Sequence, residues 1–115
     1  LVILANVVLE YPATLEDVIR TGITTMQIDE INAAKAGNRR YRLLARAELR
    51  DDDHYNLSVA PVPLPSDHPL GRLGAKQMGV VFHTDIYGTI VSIIDEPNTI
   101  NSSATMLRDL LDIYC

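Results

Sequence analysis

LPSDHPLGRLGAKQMGVVFHTDIYGTIVS, residues 64–92, decides how the rest of the chain is read. It joins a proline-bounded loop, a glycine-spaced connector, an apolar strand, a tight turn at residues 85–88 and a second strand. A flexible loop set beside a rigid hairpin is a frequent way of holding functional groups in place.

Upstream of this stretch the sequence alternates. Tyr41, Leu43, Ala45, Ala47 and Leu49 interleave with Arg40, Arg42, Arg46, Glu48 and Arg50, a period of two that predicts a half-buried strand, with Leu44 the one apolar intruder on the polar side. Five of the ten basic residues fall between Arg39 and Arg50, which reads as a solvated strand face or as a strip for acidic ligands. Asp51-Asp52-Asp53 is a turn signal. A calcium loop needs acids at alternate positions, a glycine and a distant glutamate, and none of these follows. The next strand is expected over 55–62, with the prolines at 61, 63 and 65 ending it or holding it at an edge, because proline donates no ladder hydrogen bond.

Towards the amino terminus, residues 1–10 form an apolar run that fits a buried helix or a buried strand by periodicity alone, and Tyr11-Pro12 breaks it. The run opens without a capping residue, so the chain reads as a piece of a longer protein. Thr14 followed by Leu15-Glu16-Asp17 predicts a capped helix ending near Thr21-Gly22. A second helix is expected over 28–36, with Asp29 and Glu30 at its start and Gly37 as a left-handed cap. Downstream, a final helix is expected over 102–114, capped by Asn101 or Ser102, with Met106, Leu107, Leu110 and Leu111 as its apolar stripe.

At 115 residues the length suggests one domain, able to bury about two thirds of its unfolded surface. The hydrophobic fraction of 47% and the charged fraction of 22% are those of a soluble globular protein, and no run reaches the ~20 apolar residues that cross a bilayer. A formal charge of −5 argues against nucleic acid as a partner, since phosphate neutralisation needs a basic surface. The one cysteine, Cys115, has no internal partner, which is compatible with a reducing cytoplasm.

Chemistry-bearing residues are few. His54, His68 and His83 are dispersed on a turn, a loop and a strand, without the close spacing of a metal site. His83 is expected to face solvent. The plain reading of His68 is a loop histidine that satisfies backbone groups; the functional reading is an imidazole oriented by Asp67 and stiffened by Pro69. No Gly-x-Gly-x-x-Gly turn occurs, nor a Gly-x-Ser-x-Gly elbow. The residues alone therefore give an α+β fold, a mixed or mainly antiparallel sheet with helices packed on one face, and no reaction.

A family pattern adds one. Pro65, Asp67, His68, Pro69 and Leu70, then Gly79 to Val81, then Thr84, Asp85 and Gly88 resemble, in order and spacing, the carboxy-terminal catalytic region of homoserine dehydrogenases. TLEDVIRTGIT, the RLLARAEL strand and the DLLDI helix extend the resemblance over most of the chain and favour a helix for residues 1–10. It implies an NADP- or NAD-dependent interconversion of aspartate β-semialdehyde and homoserine, on the branch towards threonine and methionine. It also implies a Rossmann domain and the catalytic Asp and Lys upstream of Leu1, leaving this chain as a substrate-domain scaffold that forms a homodimer. Within the chain, Asp67 and His68 are the implied catalytic pair and Asn98 the implied cofactor contact. The loop holding Asn98 departs from the family, since Asp95-Glu96-Pro97-Asn98 stands where a glycine-rich segment is usual, and carboxylates there disfavour a pyrophosphate. The alternatives are a non-enzymatic interaction or ligand-binding domain, and a related oxidoreductase with another substrate.

Overall fold

A computed structural model describes residues 1–50, 53–98 and 100–114, so Asp51, Asp52, Thr99 and Cys115 lie outside the described residues, as does the Asn101 side chain. The chain contains α1 (Val2–Val7), β1 (Val18–Arg20), α2 (Ile28–Ala36), β2 (Arg39–Leu49), β3 (Tyr55–Pro65), β4 (Gln77–Thr84), β5 (Gly88–Asp95) and α3 (Ile100–Tyr114). The chain divides into two compact units, Leu1–Gly71 and Arg72–Cys115.

In the first unit β3 is the central strand, parallel to β1 and antiparallel to β2, which makes the sheet mixed as the sequence led us to expect. The prolines explain how β3 runs on to Pro65 rather than stopping near Val62. The Val59 carbonyl accepts from Thr21 N–H at 2.9 Å, so odd-numbered residues of β3 turn their backbone groups towards β1. Pro61, Pro63 and Pro65 share that side, beyond the end of β1 at Arg20, and their missing N–H groups fall where no strand pairs. The ladder to β2 is untouched, from Arg39 opposite Pro65 to Leu49 opposite Tyr55.

One sheet face holds the core. Ala5 of α1, Ala13, Val18 and Leu57 are buried together, with Tyr11, Ala47, Tyr55 and Val59 packed against them. Asn6 Nδ2 ties α1 to the segment before β1 through the Ala13 carbonyl, 2.8 Å away, and Glu10 at φ 52° turns the chain back. The expected burial of residues 1–10 is met only at Ala5; Ile3 and Val7 stand exposed. Nor is the apolar face of β2 covered along its length, since Leu43 and Leu49 are exposed.

The helix expected from Thr14 is absent. Thr14 N–H and Oγ1 both donate to Asp17 Oδ2 at 2.8 Å, closing a single turn, after which Val18-Ile19-Arg20 run extended as β1. The capping chemistry was local and real, but Val18 and Ile19 are β-branched and the edge of β3 offers them a ladder, so tertiary pairing prevails. In contrast α2 falls where expected, with Glu30 reaching back to the Gln27 amide at 3.4 Å. Its end is displaced by one residue: Gly37 has φ −82°, and Asn38 takes the left-handed conformation at φ 53°. Asparagine tolerates that region through its short polar side chain.

The second unit is a hairpin followed by α3. β4 pairs with β5 from Gln77 opposite Asp95 to Thr84 opposite Gly88. Residues 85–87 close the hairpin, with Thr84 Oγ1 accepting from Tyr87 N–H and donating to the Gly88 carbonyl, both at 2.9 Å. Gly88 sits at φ +69°, the left-handed position that a three-residue hairpin loop ends on. α3 starts earlier than expected and is capped by Asn98, whose Oδ1 accepts from Ile100 N–H at 3.0 Å. Ser102, expected as a cap, lies in the first turn instead and donates to Glu96.

Candidate functional site

The loop after β3 is built by its own backbone. His68 N–H donates to the Pro65 carbonyl at 3.1 Å and Gly71 N–H to the His68 carbonyl at 2.8 Å, giving two interlocked turns. Gly71 is required by sterics, because a Cβ there would lie 2.0 Å from the Pro65 oxygen. Leu64 and Leu70 are buried on either side. Two further clamps join the loop to the sheet. Ser66 N–H and its Oγ hydroxyl both donate to the Asn38 carbonyl, at 3.1 and 2.9 Å. Arg42 of β2, half-buried, donates from Nε to the Leu70 carbonyl at 3.2 Å and from Nη2 to the Gly71 carbonyl at 3.1 Å.

This architecture fixes what His68 offers. Leu70 N–H donates to His68 Nδ1 at 3.1 Å, and an amide has only a proton to give. In the neutral ring Nδ1 is therefore the acceptor and the proton resides on Nε2, which is left as the donor. The sequence proposed Asp67 as the group orienting the imidazole. Asp67 is exposed, and among the described residues its carboxylate makes no hydrogen bond to His68; the Leu70 amide holds the ring. Arg42 and Gly71, which the sequence reading passed over, are the residues that set the loop. Their only sequence signals were an arginine facing a proline-rich strand and a glycine closing His-Pro-Leu.

The other histidines have partners of their own. His54 meets Tyr11 edge-on with ring centroids 6.2 Å apart. His83 is exposed as expected, its Nδ1 3.2 Å from Thr89 Oγ1. No group of three or more His, Cys, Asp and Glu among the described residues is placed to hold a metal. Two residues of the arginine strip are engaged with protein: Arg42 clamps the loop and Arg46 pairs with Glu48 at 3.0 Å. Near α3, Gln77 Nε2 donates to Asp95 Oδ1 at 2.9 Å, Ser102 holds Glu96, and the Asn98 carboxamide oxygen is taken up by the helix amide. A recess of about 230 Å³ on the hairpin is lined by Met78, Gly79, Val80, Ser92 and Ile94, with one hydroxyl as its side-chain polar group.

The sequence profile described as homoserine dehydrogenase matches residues 1–111. An NAD(+)-dependent homoserine dehydrogenase of Pseudomonas canavaninivorans is 29% identical over 113 residues, covering 98% of this chain and 32% of that protein. Crystal structures of the Staphylococcus aureus homoserine dehydrogenase at pH 7.5 and pH 6.0 superpose with TM-scores of 0.80 and 0.79 at 20% identity. They cover 98% and 97% of this chain and 28% of theirs, and at that identity the likeness is one of fold. The chain thus spans about a third of the length of the curated relative it matches. With the α+β architecture, the Asp-His-Pro-Leu loop and a profile that runs through nearly all of its residues, this chain belongs to the homoserine dehydrogenase family.

Proposed function

We propose that this chain is the substrate-binding and self-associating part of an oxidoreductase that interconverts aspartate β-semialdehyde and homoserine. The observation that carries the reading is the continuous family match over residues 1–111, which includes the loop holding His68. Within that loop, His68 Nε2–H is a donor on a rigid backbone, suited to an acceptor oxygen of a small polar substrate. Asp67 is exposed beside it and contributes charge rather than orientation.

The residues of this chain do not fit the cofactor. A dinucleotide needs a glycine-rich turn or an open helix N-terminus for its pyrophosphate, whereas the start of α3 is filled by Asn98 and bordered by the Glu96 carboxylate. Cofactor contact through Asn98 is accordingly no part of the proposal. The nicotinamide dinucleotide is assigned to residues outside this chain, and the name of the Pseudomonas relative favours NAD over NADP.

Self-association as a homodimer completes the reading, supported by exposed apolar side chains on the hairpin and α3. The family resemblance further supports a cytoplasmic enzyme on the branch to threonine and methionine. No helix among the described residues is long and apolar enough to cross a membrane.

The test is absorbance at the nicotinamide band with aspartate β-semialdehyde, using a full-length protein carrying this chain and, separately, the 115 residues alone. Turnover by the first and none by the second is expected. No turnover by the full-length protein, or turnover by the chain alone, contradicts the proposal.

A further inference from the structure

The Asp-His-Pro-Leu loop carries a second-order device that its sequence does not announce. Its hydrogen bonds form a connected series. The peptide joining Leu70 to Gly71 is gripped on both sides: its carbonyl accepts from Arg42 Nε at 3.2 Å, and its N–H donates to the His68 carbonyl at 2.8 Å. The next carbonyl, that of Gly71, accepts from Arg42 Nη2 at 3.1 Å. A planar guanidinium bonded to two successive carbonyls fixes the orientation of both peptide planes, which a point donor does not. On the other side of Leu70 the backbone is restricted by Pro69, whose ring locks φ. Leu70 thus has little freedom left, and its own N–H is aimed at His68 Nδ1, 3.1 Å away.

We propose that Arg42 is a positioning residue for His68: by holding the Leu70 and Gly71 carbonyls it keeps the Leu70 amide on Nδ1 and so fixes the imidazole as an Nε2–H donor. Arg42 reaches the loop from β2, 28 residues away in sequence from Leu70, so the register of the sheet is transmitted to the ring. The geometry stands by itself; its consequence for catalysis rests on the proposed role of His68 in binding substrate.

The experiment reads the ring directly. Long-range proton–nitrogen correlation spectra of the ¹⁵N-histidine-labelled protein report which nitrogen of each imidazole bears the proton. In the parent protein His68 is expected as a single Nε2–H tautomer. In Arg42→Met, and in Arg42→Gln, which keeps a polar end without the two-armed fork, the single form is expected to give way to a tautomer mixture. The signals of His54 and His83 serve as controls and stay in place. The glutamine variant decides alone if the methionine variant does not fold. Retention of the single Nε2–H form in a folded Arg42 variant overturns the proposal.

Kinetics in a full-length enzyme separate this inference from the functional reading. Arg42→Gln is expected to raise KM by about the factor that His68→Ala does, and the double variant to be no worse than His68→Ala alone, as for residues acting in series. Additive losses in the double variant contradict action through His68. A neutral His68→Ala removes the functional reading, and the tautomer spectra still decide the role of Arg42.

Discussion

His68 is held at three atoms by its own loop: its N–H by Pro65, its carbonyl by Gly71 and its Nδ1 by Leu70. A side chain fixed in this way loses little freedom when it meets a ligand, which is the advantage of a preorganised donor. Gly71 is the hinge of the arrangement. Gly71→Ala would drive a methyl into the Pro65 oxygen, so a loss on the order of 3 kcal/mol is expected in denaturant unfolding, together with loss of the His68–Leu70 bond. An alanine variant with unchanged midpoint would show that the two turns are not closed as described. At Asp17, hydrogen bonds from the Thr14 backbone N–H, then from the Thr14 hydroxyl, hold the carboxyl below the ordinary aspartate value of about 3.9. A depressed carboxylate stabilises the fold above the unfolded value and loses that contribution as pH falls through the folded one. The Thr14 amide shift is therefore expected to titrate with a midpoint below about 3.9, and in Asp17→Asn to show no such step. A midpoint at or above that value would contradict the hydrogen bonds.

At the level of elements, β3 carries the first unit. Leu57, 1% exposed, lies opposite both Val18 of β1 and Ala47 of β2 and against Ala5 of α1. Leu57→Ala is expected to cost about 2–5 kcal/mol, read from the same unfolding curves, whereas Leu43→Ala, at an exposed position, is expected to cost under about 0.5 kcal/mol in the monomer. Equal costs would contradict the placement of the core. Much of this was legible in the sequence. The alternation of residues 40–50, the helix at 28–36, the hairpin around Gly88 and the terminal helix all followed from periodicity and turn residues, because each is specified locally. β1 was not legible, since Thr14 and Asp17 make the same bonds in a lone turn as at a helix start and the deciding partner, β3, lies about 40 residues on. The run of β3 through three prolines was hidden for a related reason: whether a missing N–H matters depends on which side has a neighbour, and that is set by where β1 ends. For the site, Asp67 and His68 were identified as neighbours in sequence, but the atoms that hold the ring come from Leu70 and, through Arg42, from a strand whose arginines all looked alike.

At the level of the whole molecule, the hairpin is apolar on both faces. One face presents Met78, Val80, Phe82, Ile90 and Ile94; the other presents Val81, Val91 and Ile93 between a Gln77–Asp95 pair and a His83–Thr89 pair. α3 adds Met106, Leu107, Leu110 and Leu111, all more than half exposed. Two-stranded ribbons are marginal alone, and exposed apolar surface of this kind marks association. Light scattering over a dilution series is expected to give twice 12.7 kDa, through an interface of about 1,200–2,000 Å² in total, and a mass of one chain throughout would refute the homodimer. The claim on which the rest depends is that the loop of residues 65–71 serves substrate in a homoserine dehydrogenase. Its most direct test is steady-state kinetics of His68→Ala, His54→Ala and His83→Ala in a full-length enzyme, each checked for folded stability. The expected result is a KM for aspartate β-semialdehyde raised about tenfold or more in His68→Ala alone, the loss of one hydrogen bond to a charged or polar group; a His68→Ala enzyme with the turnover number and KM of its parent would contradict the account.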